Sequence, residues 1–450
     1  MSALDTVFKA YDIRGLVPEE LNADLARQVG GAFARFTGAK TVLVGRDMRP
    51  SGLELSGAFI EGVLDQGVDV VDLGLIPTDL LYFAAGHLAL PGATFTGSHN
   101  PAQYNGIKLC LAGAKPVGED TGLDVLKADI ASGVDHPLAA RRGEAHALDL
   151  LPDYAAHVLS FVDVNVIRPL RIVADTANGM GGLALPAVMK ALPCSLEILY
   201  EDLDGTFPNH PADPINPANQ VDLIARVRAT GADLGLAFDG DADRVFLVDE
   251  HGVGLSGSTT TAMLAAMILD RNPGGTVIHN LICSRAVPEV VREHGGTPVV
   301  SRVGHSFIKA MMAETNAVFG GEHSAHYYFR DNYFADSGLI AAVMILELVS
   351  RAGQPLSELR KPFERYSASG EVNTRVQDTA ASIEKVAAAF SYLGPDRLDR
   401  LDGLTVIGDT WWFNLRPSNT EPLLRLNLEA ATQAECEART QRVLALVRED

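Results

Sequence analysis

Cysteine is scarce: the 450 residues contain four, at Cys110, Cys194, Cys283 and Cys436, with no Cys-x-x-Cys pair. A disulfide framework is excluded, structural zinc is disfavoured, and a reducing compartment is implied, which makes a cytoplasmic address the expectation. Basic residues are also short. There are 37 Lys and Arg against 57 Asp and Glu, a formal net charge of −20, and so acidic a surface repels nucleic acid and anionic membranes, so neither is expected as a partner. No long hydrophobic run is present. The most apolar stretch, Leu339 to Leu346, stops at Glu347, far short of the ~20 residues a membrane span needs, and predicts a buried helix. Asp5, Lys9, Asp12 and Arg14 break up the opening residues, so no signal peptide is expected.

What is present points to a multidomain α/β chain. With 47% hydrophobic residues and a length beyond one core, two to four domains are expected. Short β-branched runs (Thr41 to Val44, Val68 to Val71, Leu170 to Val173, Thr276 to His279) alternate with helical patterns such as Asn22 to Phe36 and Leu339 to Ser350, which implies α/β architecture. Chemically unusual loops follow strand-like runs at 97–101, 239–244 and 321–326. A few related α/β units, each offering one loop, account for that spacing. Breaks are expected near 134–152, and Pro208 to Pro217 reads as a long loop within a unit. Beyond about 366 the pattern becomes one helix (Ser382 to Tyr392), strands near Trp411 to Leu415 and Leu423 to Leu428, and a final amphipathic helix: a smaller α+β domain.

Four loops carry candidate chemistry. Asp239-Gly-Asp-Ala-Asp-Arg244 sets carboxylates at alternate positions of a Gly-containing turn, where they can converge on a hard divalent cation. An EF-hand is disfavoured, because Arg244 fills the position that turn reserves for Gly and the flanks, Leu234 to Phe238 and Val245 to Val248, read as strands. Thr96-Gly-Ser-His-Asn-Pro101 places Ser98 on a Gly/Pro-bounded loop near Lys108. A nucleophilic or phosphorylated serine and an ordinary turn both fit. A Ser-His-Asp hydrolase does not, since Gly-x-Ser-x-Gly is missing and the adjacent His99 is expected to point elsewhere. Gly321-Glu-His-Ser-Ala-His326 has the groups to hold sugar hydroxyls and move a proton, or is a plain polar loop. Arg416-Pro-Ser-Asn-Thr-Glu-Pro422, with Arg425, offers phosphate donors. In so acidic a chain, Arg14, Arg46, Arg49, Lys108, Arg244 and Arg416 are candidate cations for an anionic substrate, each with the surface ion pair as its ordinary alternative.

Together with Phe8-Lys-Ala-Tyr-Asp-Ile-Arg-Gly15 and Gly45-Arg-Asp47, these motifs run in order from residue 8 to 425 and resemble the alpha-D-phosphohexomutases. Tyr-Asp-Ile-Arg-Gly and Arg-Pro-Ser-Asn-Thr are similar to the phosphomannomutase/phosphoglucomutase branch. The resemblance implies three related α/β domains with mixed sheets (1–150, 151–252, 253–366) and a C-terminal α+β domain (367–450) around a central cleft. It implies a phosphoserine at Ser98, Mg²⁺ held by Asp239, Asp241, Asp243 and Ser98, and sugar contacts from Glu322 and Ser324. Arg416, Ser418, Asn419 and Thr420, with Arg425, would grip the phosphate not transferred. Tyr11, Arg14, His99, Lys108, Arg244, His305 and His326 would line the reacting side, with Lys108 and His326 moving protons. The implied reaction interconverts hexose 1- and 6-phosphates, of mannose and of glucose, through a hexose 1,6-bisphosphate that also activates the enzyme. Phosphorylated hexoses are then the partners of a monomer or homodimer.

Two positions depart from the pattern: Ala325 where the family usually has Gly, costly if φ is positive there, and Ile282 where some relatives carry Lys, which leaves Arg285 as the nearest cation. The alternatives are a phosphoglucosamine or N-acetylglucosamine mutase, a serine-dependent sugar phosphatase, and a sugar-phosphate or Ca²⁺ sensor.

Overall fold

Three of the four sheets in the computed structural model, which describes residues 3–417 and 423–448, are built on one strand order. In the first, Asp69–Leu75, Thr41–Arg46 and Gly92–Phe95 pair in parallel, and Tyr104–Leu111 closes antiparallel. The second repeats this with Ser195–Leu199, Arg171–Asp175, Leu234–Phe238 and the antiparallel Val245–Asp249. The third does so with Thr297–Ser301, Thr276–Asn280, Phe319–Gly321 and the antiparallel Tyr327–Phe329. In each unit the loop between the last parallel strand and the antiparallel one carries the unusual residues. The serine, aspartate and Glu-His-Ser-Ala-His loops are therefore topological equivalents, and the mixed sheets are those the resemblance implies.

Local chemistry explains the elements. Asn22 caps the helix Ala23–Thr37 by accepting from Leu25 N–H at 3.0 Å, and Gly38 at φ 57° ends it. The apolar stretch around 339–346 lies in the buried helix Gly338–Ala352. The loop-rich passage at 134–152 contains a strand, Ala145–Ala147, that extends the first sheet beside Asp69–Leu75. The C-terminal sheet is wholly antiparallel, ordered Ser367–Arg375, Leu423–Ala430, Trp411–Pro417, Leu404–Ile407 and Leu398–Asp399. Its opening strand was illegible in the sequence because polar residues and a bulge interrupt it. No single helix among the described residues is long and apolar enough to cross a membrane.

One hydrophobic cluster runs from Leu43 and Phe83 through Leu236 and Leu247 to Ile340 and Leu346 and joins the first three units, while the first unit also packs a cluster around Phe33, Phe59 and Phe95 and the C-terminal unit one around Phe390, Trp411 and Phe413. At the junction of those three units the buried Asp79 carboxylate receives the Tyr154 hydroxyl and, at 2.6 Å, the Ser337 hydroxyl, both on Oδ2. Burial pushes its pKa up to about 7 against those two hydrogen bonds. A raised carboxyl pKa means that the folded state holds a proton the unfolded state has released. Stability present near pH 4 is then lost as pH rises to about 7, by at most about 4 kcal/mol. Because Oδ1 has no hydrogen-bond partner, Asp79→Asn imitates the protonated form. Urea unfolding at pH 5 and pH 8 should show the loss in the natural protein and its removal by Asp79→Asn.

Candidate active site

Ser98 sits buried at the tip of the first unit's loop with φ 49°, an αL conformation that a non-glycine residue keeps only when its surroundings enforce it. Arg49 does so. Its buried guanidinium donates to the carbonyls of Ser98 and Asn100 at 2.8 and 2.7 Å and of Pro101 and Tyr104 at 2.8 and 2.7 Å, while Nε meets Asp47 at 3.2 Å. Gly97 is required beside it, since a Cβ there would lie 2.6 Å from the guanidinium carbon. Arg49, expected among the substrate cations, is thus spent on the backbone and does not face the cleft. Arg49→Lys cannot reach four carbonyls from one ammonium. It should cost about 2–4 kcal/mol and lower kcat at least tenfold, read from urea unfolding and initial rates.

The Ser98 hydroxyl donates to Asp239 Oδ2 at 3.1 Å and lies 3.2 Å from His99 Nδ1. His99 therefore turns toward the serine instead of pointing elsewhere, as the sequence suggested. The carboxylate stands on the serine, so no Ser-His-Asp relay forms. Burial, with Arg244 and Arg14 nearby, holds the imidazole well below its ordinary pKa, and it is neutral.

The aspartate loop connects the antiparallel strands Leu234–Phe238 and Val245–Asp249, not helices, as expected against an EF-hand. Gly240 is needed because a Cβ would lie 2.5 Å from the Ser98 carbonyl. Ligand oxygens of Asp239, Asp241 and Asp243 fall within 4.8 Å of one another. Lys108 donates to Asp241 at 2.8 Å and Asp243 at 2.7 Å, and Arg244 Nε meets Asp239 at 2.9 Å. Three buried carboxylates face two cations, and Oδ1 of Asp241 and of Asp243 have no hydrogen-bond partner. Orphaned hard oxygens on one short loop fit a hard divalent cation. Burial and the two sister carboxylates hold Asp239 well above the usual carboxylate pKa against Arg244. Burial opposes charge on Lys108, but Asp241 and Asp243 outweigh it and raise its pKa well above the ordinary lysine value.

The third loop faces these two. His326 pairs with Arg244 in a β-bridge. Its Nε2 lies 3.6 Å from Asp243, and its Nδ1 lies 3.1 Å from Ser324 Oγ and 3.6 Å from Glu322. Ala325 does adopt φ 65°, where the family pattern has Gly, and its N–H closes the turn on the Glu322 carbonyl at 3.1 Å. The strained turn holds its shape with Ala in place.

Arg14 donates to Asn100 at 2.6 Å and pairs with Asp12, which ties the opening segment to the serine loop. The Tyr11 hydroxyl reaches the Val303 carbonyl at 3.3 Å. In the C-terminal unit Arg416 and Arg425 are cross-strand neighbours that share Glu371, at 3.2 and 3.5 Å. Ser418, Asn419 and Thr420 lie outside the described residues, as does the His305 side chain. The Arg285 guanidinium lies over the Tyr366 ring, and its N–H meets Glu429 of the C-terminal unit at 3.0 Å. Arg46 spends one donor on the Asp47 carbonyl at 3.4 Å.

Sequence reasoning missed Thr78, whose hydroxyl and N–H donate to Asp241 at 2.5 and 3.1 Å from a helix start. Only Pro77-Thr-Asp, a helix-opening signature, was available to suggest it. His323, half-buried and near Arg416 and Glu371 of the C-terminal unit, reads in the sequence only as one of the third loop's two imidazoles; desolvation lowers its pKa.

The chain matches the descriptions "Phosphoglucomutase/phosphomannomutase, alpha/beta/alpha domain I" over residues 5–132, domain II over 152–252 and domain III over 256–366, and the C-terminal domain over 371–446. It is 42% identical to "Phosphomannomutase" of Salmonella montevideo, with 98% of this chain and 99% of that one covered. To "Phosphomannomutase/phosphoglucomutase" of Pseudomonas syringae pv. tomato it is 39% identical, covering 96% and 93%. A solved phosphoglucomutase/phosphomannomutase family protein from Burkholderia thailandensis superposes with TM-score 0.89 at 35% identity, covering 100% of this chain and 98% of the other.

Proposed function

The chain belongs to the phosphoglucomutase/phosphomannomutase family, and on that premise we propose that it interconverts the 1- and 6-phosphates of mannose and glucose through a phosphoserine at Ser98. The observation that carries this is the Ser98 hydroxyl against Asp239, in a buried cluster where Oδ1 of Asp241 and Oδ1 of Asp243 have no hydrogen-bond partner.

In the proposed cycle Ser98 bears a phosphoryl group and the 6-hydroxyl of a hexose 1-phosphate attacks it. The P–O6 bond forms as the P–Oγ bond breaks, and the 6-hydroxyl proton passes to an imidazole, His326 or His99. Asp239, Asp241, Asp243 and Ser98 would hold Mg²⁺, which supplies charge stabilisation to the transferring oxygens. Lys108 and Arg244 fix the carboxylates that orient those oxygens. The hexose 1,6-bisphosphate then turns, and its 1-phosphoryl group returns to Ser98 as the P–O1 bond breaks and O1 takes a proton. Glu322 and Ser324 would accept sugar hydroxyls in both orientations, and Arg416, Arg425, Ser418, Asn419 and Thr420 would hold whichever phosphate stays. Both sugars are proposed because relatives bear both names and because a site that binds two orientations discriminates poorly at C2.

Incubation with ³²P-labelled glucose 1,6-bisphosphate and Mg²⁺, followed by peptide mapping, tests the reading. Label on Ser98 that chases into hexose 6-phosphate when mannose 1-phosphate is added is the expected result. Label released only as inorganic phosphate would make the protein a phosphatase instead.

A further inference from the structure

Glu322 is buried, and both of its oxygens are already engaged. Asn280 Nδ2 donates to Oε2 at 2.9 Å and the Tyr328 hydroxyl donates to Oε1 at 2.5 Å. Each donor is itself fixed. Asn280, fully buried at the end of the strand Thr276–Asn280, accepts the Cys283 thiol on Oδ1 at 3.1 Å, which turns its NH₂ toward Glu322. Tyr328, fully buried in the strand Tyr327–Phe329, stacks its ring on His326 with centroids 6.3 Å apart.

A carboxylate offers about four lone-pair sites, two on each oxygen. Donors on both oxygens stop the rotation about its terminal bond that a free Glu performs, so one acceptor site on each oxygen keeps a fixed direction. We propose that Tyr328 and Asn280 are positioning residues that preset the Glu322 carboxylate for sugar-hydroxyl recognition. The inference rests on the reading of Glu322 as a sugar contact. A site that must take a sugar in two orientations gains from an acceptor pair whose geometry is identical for both, because neither orientation then bears the cost of ordering it. The high pKa of the Tyr328 phenol, raised by burial and by Glu322, keeps its proton available for donation.

The test is a double-mutant cycle read by equilibrium binding of mannose 1-phosphate, on protein carrying Ser98→Ala so that the ligand does not turn over. Tyr328→Phe, which deletes one oxygen, should weaken binding at least fivefold. Asn280→Asp, which sets a carboxylate against Glu322, should weaken it at least tenfold. In a Glu322→Gln background Tyr328→Phe should shift Kd less than twofold, since the group it positions is already altered. Urea midpoints are recorded for each variant. A Tyr328→Phe Kd within twofold of its parent, or effects of Tyr328→Phe and Glu322→Gln that multiply independently, overturns the inference, as does a shifted urea midpoint with Kd unmoved. Failure of the mutase reading looks different: with Ser98 intact, mannose 1-phosphate binds but is not isomerised, and the cycle still decides the positioning role. Absence of any binding overturns both.

Discussion

Ser98→Ala should lower turnover of mannose 1-phosphate by at least about 10⁴-fold while leaving the fold intact. A loss of that size corresponds to about 5.5 kcal/mol of barrier, which only removal of the group that carries the phosphoryl can produce here. The stability change should be small. The hydroxyl bonds to Asp239 and to His99 Nδ1; once it is gone the half-buried His99 is reached by solvent, and Asp239 keeps the Nε and backbone N–H of Arg244 at 2.9 and 3.2 Å. The αL backbone is enforced by Arg49 through carbonyls that the substitution does not touch. Unfolding within about 1 kcal/mol of the natural protein, with activity at the detection limit, is the expected pair of readings. Turnover within tenfold of the natural enzyme would remove Ser98 from the mechanism.

Lys108→Met should damage both stability and activity. It takes the ammonium from between Asp241 and Asp243, both fully buried, and leaves two carboxylates without the partner that compensates their burial. Breaking a buried pair on one side costs about 3–5 kcal/mol. Turnover should fall at least 10³-fold, because the carboxylates that orient the reacting groups lose their common anchor. A divalent cation can restore part of the charge balance. Mg²⁺ at about a hundred times its Kd is worth about 2.7 kcal/mol to a folded state that binds it, and its stabilisation of the Lys108→Met variant should exceed that of the natural protein. Urea unfolding with and without Mg²⁺ reads both effects. Equal stability of the variant and the natural protein would mean that Asp241 and Asp243 are compensated from elsewhere.

The parts of this site that were legible in the sequence are those whose chemistry is concentrated in short loops. Three alternating aspartates beside Arg244 announce a cation site because their carboxylates can converge within one short turn. The alternation of β-branched runs and amphipathic helices was enough for α/β units, but the shared strand order that makes the three loops equivalent is a property of pairing, which no local window contains. What remained hidden is long-range. Arg49 reads like any surface arginine until the chain brings the carbonyls of Ser98, Asn100, Pro101 and Tyr104 onto it. Asn280 and Tyr328 look like ordinary strand residues because their partner, Glu322, lies on a loop 42 and 6 residues away in sequence. The strand Ser367–Arg375 was missed because it is largely exposed and so lacks the apolar alternation that betrays a half-buried strand.

The central claim is that phosphate changes position on the sugar rather than leaving it. ³¹P NMR of the protein with Mg²⁺, a trace of glucose 1,6-bisphosphate and, in separate tubes, mannose 1-phosphate or glucose 1-phosphate tests it directly. The account predicts that each 1-phosphate resonance declines as the matching 6-phosphate resonance grows, with no inorganic phosphate. Inorganic phosphate appearing without a 6-phosphate, or no change in either tube, would contradict it.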